Sequence, residues 1–439
     1  MNFSFALPIA AAPVPPIPDG KRTVETAALI VVLVIALALF FDFTNGFHDT
    51  ANAMATPIAT GALKPKVAVL LAAVLNLVGA FLSTEVAKTI SGGMIREDQL
   101  SQSIFPAIIF AGLIGAITWN MLTWLLGLPS SSSHALFGGL IGATIVGASI
   151  SAIDTGVVLS KVVLPALIAP LTAGIIAFVA TKIAYVVTRR YDNKPDGRDG
   201  FRWGQIFTSS LVALAHGTND AQKTMGVITL ALITVGWQTQ SDPQLWVIFA
   251  CAFTIALGTY MGGWRIIRTL GKGLTDVKPA QGFSAEASTA STILASSALG
   301  FALSTTQVAS GSVIGSGLGR RGAVVRWGTV GRITVGWVLT LPAAGIVGAL
   351  AAFLIVGFEN LFGQGVGELI GVIIGAVIAV AIVLAIFLRS RRNEITAANA
   401  MSEVADSGAA VDLTEEPPPT RRQQRVAQAA AATDEENAR

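Results

Sequence analysis

The chain has 439 residues, of which 53% are hydrophobic and only 13% are charged. Soluble globular domains carry about 25% charged residues, so the composition excludes an ordinary soluble protein. The basic residues behind the formal net charge of +3 cluster in a few loops and the tail, which gives no support for a nucleic-acid partner. The single cysteine, Cys251, excludes an internal disulfide. Apolar stretches of about 20 residues, long enough to cross a bilayer, recur along the chain and predict an all-α polytopic membrane protein.

The apolar stretches lie between a Pro-rich N-terminal arm, residues 1–23, and a charged, Ala-rich tail, residues 389–439. We expect the tail to be disordered because it is polar and cannot bury a core. A basic linker, residues 189–203, separates two transmembrane repeats, 24–188 and 204–388, the second of which includes a final helix. The predicted membrane elements are 24–61, 65–87, 104–147, 156–188, 204–236, 244–263, 281–318, 328–357 and 364–388.

A short polar pattern occurs twice within this apolar sequence. Asp49 lies in GFHDTANAM, and Asp220 lies 171 positions later in GTNDAQKTM. A carboxylate inside a membrane is costly, so an aspartate present there twice indicates a functional site. The elements 24–61 and 204–236 are also too long for one straight crossing of about 30 Å at 1.5 Å per residue. We therefore predict a broken helix around each aspartate.

Two further elements, 104–147 and 281–318, share a second repeated pattern. Each is an apolar arm, a hydroxyl-rich segment and a Gly-rich apolar arm, which predicts two helical hairpins with Ser/Thr tips. The offset between the tips is 173 positions, close to that between the aspartates, so each half supplies one aspartate helix and one hydroxyl tip. The tip residues are Ser131, Ser132 and Ser133 in the first half, and Ser304, Thr305 and Thr306 in the second.

The positions of the basic residues predict that the two repeats have inverted topology. Lys64 and Lys66 follow the first aspartate element, whereas the matching segment 237–243 has Asp242 and no base. Since cytoplasmic loops carry an excess of Lys and Arg, these two matching ends should lie on opposite sides. The N-terminus is then outside and both the linker 189–203 and the C-terminus are cytoplasmic, in a multi-pass protein of the cell's inner membrane.

The paired tips and aspartates predict a particular chemistry. Hydroxyl groups and the N-termini of the helices that follow them donate hydrogen bonds to an anion, and two such tips suit a tetrahedral oxyanion. Asp49 and Asp220 would repel that anion unless each holds a proton or a hard cation such as Na⁺. The pattern therefore favours symport of an anion with a cation. The candidate coupling residues are Asp49, Asp220, Asn45, Asn52, Asn219, Glu286 and His48.

Other interpretations stay open at this point. The hydroxyl groups could bond only to their own or neighbouring helices, and the oxyanion could be sulfate or arsenate rather than phosphate. An intramembrane serine hydrolase would use a tip serine with His134 and Asp49, but the second tip has Gln307 in place of the histidine and the chain has no Gly-x-Ser-x-Gly pattern. An ion channel is a fourth reading, although the sequence offers no filter ring.

Four motifs resemble the PiT-type inorganic phosphate transporters, and the resemblance extends over about residues 24–388. The motifs are NGFHDTANA (45–53), AHGTNDAQKT (215–224), PSSSSH (129–134) and QGFSAE (281–286) leading to the second tip.

This resemblance implies an inverted-repeat fold and uptake of inorganic phosphate coupled to sodium or protons, with no enzymatic activity and no resident cofactor. It places Asp49 and Asp220 in the cation and phosphate centre, puts the six tip hydroxyls against phosphate and matches Glu286 to a functional glutamate. A divalent metal travelling with the phosphate and a homodimer stay open, and the expected partners are phosphate and the lipid bilayer.

Overall fold

The computed structural model describes residues 20–91, 104–191, 199–393 and 395–400. Helices dominate these ranges, and the only β-pairing within them is an isolated bridge between Thr275 and Val325, so the predicted all-α class is confirmed. Most of the N-terminal arm and of the tail lies outside the described residues. The α-helices are α1 Gly20–Ala59, α2 Pro65–Gly79, α3 Glu85–Ser91, α4 Phe105–Leu125, α5 Ser132–Gly147, α6 Thr155–Val158, α7 Leu164–Tyr191, α8 Asp199–Thr234, α9 Leu245–Met261, α10 Trp264–Arg268, α11 Pro279–Ala298, α12 Thr305–Gly319, α13 Trp327–Phe362 and α14 Val366–Ser390.

The helices repeat in order. Helices α1 to α5 match α8 to α12, α7 matches α13, and α14 follows as the final helix. The two predicted hairpins are present as α4–α5 and α11–α12. Gly127 and Gly300 occupy the same place in their connecting turns, with φ of 65° and 70°. Only glycine adopts such a backbone at no steric cost, so the repeat extends to the conformation of the turns.

The two halves exchange their hairpin arms. Helix α5 of the first half packs on α13 of the second, and α12 of the second half packs on α7 of the first. A Cβ at Gly142 would lie against the carbonyl of Gly345, and a Cβ at Gly315 would lie against the carbonyl of Gly174. Glycine is needed at these matching points because helix backbones touch there. The halves therefore interlock and do not form separate domains.

Repeat mates α1 and α8 run antiparallel. Thr224, late in α8, donates from Oγ1 to Oδ1 of Asp42 in α1 at 3.0 Å. Thr60, just past the end of α1, donates from Oγ1 to Oε1 of Gln205, early in α8, at 2.7 Å. Two repeats of inverted topology have their matching helices antiparallel, so this arrangement agrees with the predicted inversion.

The predicted breaks at the aspartates are wrong. Helix α1 continues through Asp49 for 40 residues and α8 continues through Asp220 for 36 residues. At 1.5 Å per residue, α1 is about 60 Å long, so it must tilt or extend beyond a hydrocarbon core of about 30 Å. Side chains from other helices donate hydrogen bonds to both carboxylates. Their charge is therefore stabilised without unwound backbone in α1 or α8.

Some predicted boundaries also shift. The linker 189–203 is shorter than expected because α7 runs to Tyr191 and α8 begins at Asp199. Among the described residues, five helices are long and apolar enough to cross a membrane, or six if Leu245–Met261 and Trp264–Gly273, bent by 59°, form one span. The five helices are the described parts of α1, α4, the α6–α7 run, α13 and α14.

Residues 396–400 belong to a second compact unit that begins at Thr396. They form a turn in which the Thr396 N–H donates to Oδ1 of Asn399 at 2.6 Å.

Candidate functional site

The two repeated aspartates lie side by side where α1 and α8 pack together. Asp49 and Asp220 are both buried. Oγ1 of Thr305 donates to Oδ2 of Asp220 at 3.1 Å and to Oδ2 of Asp49 at 3.4 Å, so one hydroxyl touches both carboxylates. Nε2 of His216 lies 3.0 Å from Oδ2 of Asp220 and 3.9 Å from Oδ2 of Asp49. The two halves therefore share one polar centre.

Both hydroxyl tips reach this centre. From the first half, Ser132 donates to Oδ2 of Asp49 at 3.0 Å. From the second, Thr306 donates to Oδ1 of Asp49 at 3.1 Å. The tips also touch each other, because Oγ of Ser133 donates to the carbonyl of Leu303 at 3.0 Å. Three of the predicted tip residues, counting Thr305, thus contact a carboxylate.

The first serine of each tip, Ser131 or Ser304, caps a helix and makes no hydrogen bond to a carboxylate among the described residues. Oγ of Ser131 accepts the N–H of His134 at 3.2 Å, and Oγ of Ser304 accepts the N–H of Gln307 at 3.3 Å. These are N-caps, which satisfy a free amide of the first helical turn. Ser131 and Ser304 therefore fix the N-termini of α5 and α12 at the centre, where the helix dipoles favour negative charge.

The predicted asparagines surround the aspartates and leave oxygen atoms without partners. Nδ2 of Asn52 donates to Oγ1 of Thr306 at 3.0 Å, and Nδ2 of Asn219 donates to Oγ of Ser297 at 2.9 Å. In the described parts of the chain, Oδ1 of Asn52, Oδ1 of Asn219 and both polar atoms of Asn45 are buried with no hydrogen-bond partner. Buried polar groups are normally satisfied, so these oxygens indicate a place for a bound group.

His48 links the centre to the first hairpin. Its Nδ1 lies 2.6 Å from Oδ1 of Asp49. Its Nε2 lies 3.4 Å from the hydroxyls of Thr123, in α4, and Ser130, in the α4–α5 turn. The imidazole thus holds the Asp49 carboxylate in place against α4.

Glu286 lies in a separate buried cluster. Oε1 accepts from Thr56 at 2.5 Å and from Gln205 at 3.1 Å, and Oε2 accepts from Thr208 at 2.8 Å. Thr56 is seven residues beyond Asp49 on α1, which is about 10 Å along the helix. The structure therefore does not bring Glu286 to the paired aspartates.

Two residues of the centre were not among the predicted site residues, His216 and Lys223. Nζ of Lys223 forms an ion pair with Oδ1 of Asp220, and both side chains are fully buried. His216 and Lys223 stand four residues before and three after Asp220, which puts all three on one helix face. That spacing is the signal by which the sequence could have revealed them.

An acid–imidazole cluster forms at the middle of this site. One ligand atom from each of Asp49, His216 and Asp220 lies within 4.8 Å of the others, and all three residues are buried. The carboxylate oxygens of this cluster, together with the unpartnered amide oxygens, are ligands that suit a hard cation.

Comparison with known proteins assigns the chain to a class. A family model described as "Phosphate transporter family" matches residues 45–348. A "Probable low-affinity inorganic phosphate transporter" of Mycobacterium tuberculosis is 58% identical over 328 residues, which cover 74% of this chain and 78% of the relative. A Bacillus subtilis relative of the same name is 42% identical over 329 residues, covering 74% of this chain and 97% of the relative.

A solved structure titled "The sodium-dependent phosphate transporter" superimposes with a TM-score of 0.66 at 22% identity, covering 75% of this chain and 99% of that one. This likeness bears on the fold alone. The fold and its matches define a polytopic membrane transporter made of two related halves. The chain belongs to the phosphate transporter family. Its relatives are transporters, so the intramembrane hydrolase reading has no support.

Proposed function

We propose that the protein carries inorganic phosphate across the cytoplasmic membrane together with a cation, by alternating access around the Asp49–Asp220 centre. Membership of the phosphate transporter family supports the substrate. The observation that carries the proposal is the meeting of two hydroxyl tips and two buried carboxylates at the interface of inverted halves. Secondary transporters place their sites at such repeat interfaces.

Phosphate fits the donors and acceptors of this centre. The hydroxyls of Ser132, Thr305 and Thr306, now donating to carboxylates, can turn to donate to phosphate oxygens. The capped N-termini of α5 and α12 add backbone N–H groups. A carboxylate of Asp49 or Asp220 can accept the proton of a phosphate O–H. Sulfate carries no proton at neutral pH, so the same acceptors should reject it.

The coupling cation is a proton or sodium, bound around Asp49. Sodium prefers hard oxygen ligands, and Asn45 and Asn52 offer buried amide oxygens with no partner in the described structure. A cation at this point compensates the carboxylate charge, so that phosphate can enter a site that would otherwise repel it. A divalent metal bound to phosphate would likewise offset the carboxylate charge, and it would be transported together with the phosphate.

His48 and Glu286 support coupling in different ways. His48 orients the Asp49 carboxylate through its 2.6 Å contact. Glu286 is a second buried carboxylate farther along α1 and lies beside the start of α8. With the predicted orientation, N-terminus outside and C-terminus cytoplasmic, Glu286 lies on the cytoplasmic side of the centre, where the cation would leave.

The test is uptake of labelled phosphate into liposomes containing the purified protein, under separately imposed sodium and pH gradients. One gradient should drive accumulation, and this identifies the cation. Asp220→Asn should abolish accumulation while the protein still inserts and remains monodisperse. Asp242→Asn, a change of an exposed surface acid, is the matched control and should accumulate phosphate normally. Accumulation by Asp220→Asn at the control level would contradict the proposal.

A further inference from the structure

The repeat register sets unlike residues at equivalent places in the centre. Asp49 corresponds to Asp220 at an offset of 171, and at the same offset Asn52 corresponds to Lys223. In each half the second residue follows the aspartate by three positions, so it lies on the same helix face. One half therefore has a neutral amide where the other has an ammonium group.

In the first half, the amide leaves an acceptor free. Nδ2 of Asn52 donates to Thr306 at 3.0 Å, while Oδ1 is buried and has no hydrogen-bond partner within the described ranges. Asp49 is also buried, one turn earlier. A carboxylate and an amide oxygen together provide two hard ligands for a mobile cation.

In the second half, the ammonium group is the cation. Nζ of Lys223 forms an ion pair with Oδ1 of Asp220, and both side chains have no exposed surface. A buried charge is tolerated only when it is paired, so the pair fixes one positive charge beside one of the two central carboxylates. The other ionisable groups near the pair are His216, which contacts Oδ2 of Asp220, and the side chains of Asp49, Asp42 and His134.

We propose that Lys223 is a built-in cation that occupies, in the second half, the place that the first half keeps for a transported cation. The second half then needs no coupling ion, and the mobile cation binds only on the Asp49 side. This inference rests on the proposed cation-coupled transport and specifies its stoichiometry. The protein should move one central cation fewer per phosphate than a transporter with Asn at both positions.

Two reciprocal substitutions, each of which gives one half the residue of the other, test this role with inorganic phosphate as the probe. Lys223→Asn gives the second half the Asp–Asn pair of the first. It should weaken phosphate binding by about tenfold or more at a fixed concentration of the driving cation, because a buried carboxylate loses its partner. Raising the concentration of that cation should restore binding, with a steeper dependence than in the wild type. Asn52→Lys gives the first half its own fixed charge and should make phosphate binding independent of the cation.

Lys223→Arg is the control that keeps the positive charge, and its cation dependence should match that of the wild type. Binding is measured by calorimetry on purified protein shown to be monodisperse, and cations per phosphate by the gradient at which liposome flux reverses. The role of Lys223 is overturned if Lys223→Asn and Asn52→Lys keep the cation dependence of the wild type. It is also overturned if phosphate binding lost in folded Lys223→Asn cannot be recovered with cation. Failure of the wild type to accumulate phosphate under any cation gradient would instead reject the proposed function.

Discussion

At the residue scale, the centre depends on side chains that act on both carboxylates at once. Thr305 is the one hydroxyl in the described structure that is hydrogen-bonded to both Asp49 and Asp220. It also lies at the N-terminus of α12, the point where an anion is best stabilised. Its hydroxyl therefore positions the two acids relative to each other and is a candidate donor to phosphate.

We expect Thr305→Val to reduce phosphate uptake at low substrate concentration by about tenfold to a hundredfold, because a hydrogen bond to a charged group contributes about 1.5–3 kcal/mol. Initial rates in liposomes, over a range of phosphate concentrations, measure the loss. Thr305→Ser keeps the hydroxyl and should retain most of the uptake. Equal rates for Thr305→Val and the wild type would remove Thr305 from the site.

Most of the centre could be predicted from the sequence because the repeat marks it twice. Asp49, Asp220 and the tip hydroxyls lie at nearly constant offsets in apolar sequence, where polar groups are costly. His216 and Lys223 were left out of the predicted site because the first half has unlike residues, Asn45 and Asn52, at the matching positions. Their spacing around Asp220 already placed them on its helix face, and the fold adds their contacts with its carboxylate. Glu286 matched a family motif, but its distance from the centre depends on how α11 packs.

At the scale of single elements, the caps and the glycine contacts hold the tips in place. Ser304→Ala removes the N-cap of α12, and such a change costs about 0.5–2 kcal/mol. We expect a lower midpoint of thermal unfolding in detergent, whereas Ser304→Thr, which can cap the helix, should unfold close to the wild type. An unchanged midpoint for Ser304→Ala would show that the cap contributes nothing.

The contact between α12 and α7 makes a second prediction at this scale. A Cβ at Gly315 would collide with backbone atoms of Gly174, so Gly315→Ala should destabilise the fold by about 1–3 kcal/mol through overpacking. At Gly336, in α13, an added Cβ would have no atom within 4 Å. Gly336→Ala is the matched control and should be neutral or slightly stabilising. Thermal unfolding of both variants measures the difference, and the same loss in both would contradict the packing described.

The helix lengths show why some elements could not be predicted. Length and a central aspartate favoured breaks in α1 and α8, yet both helices are continuous. Whether a buried carboxylate needs unwound backbone depends on which donors approach from other helices, and that is a property of the tertiary packing. The hairpin turns were predictable because Gly127 and Gly300 mark them locally.

At the scale of the whole molecule, antiparallel α1 and α8 and exchanged hairpin arms form one interlocked body around the centre. Its orientation in the membrane is a prediction from the basic loops. Lys64 and Gln240 lie at matching loops of the two halves, and Lys64 should face the cytoplasm and Gln240 the outside. Both are exposed, and the native Cys251 is buried, so added cysteines can be labelled against a low background.

On intact cells, a membrane-impermeant maleimide should label Gln240→Cys and leave Lys64→Cys unlabelled. After permeabilisation both should react. Labelling of Lys64→Cys alone on intact cells would reverse the orientation, and labelling of both would contradict the inversion of the two halves.

A structure determined with phosphate and the driving cation would test the location of the centre most directly. We expect phosphate between the N-termini of α5 and α12, with its oxygens within hydrogen-bond distance of the Ser132 and Thr305 hydroxyls and the cation beside Asp49. Phosphate bound away from both aspartates, for example only at the Glu286 cluster, would contradict the proposed location of the transport site.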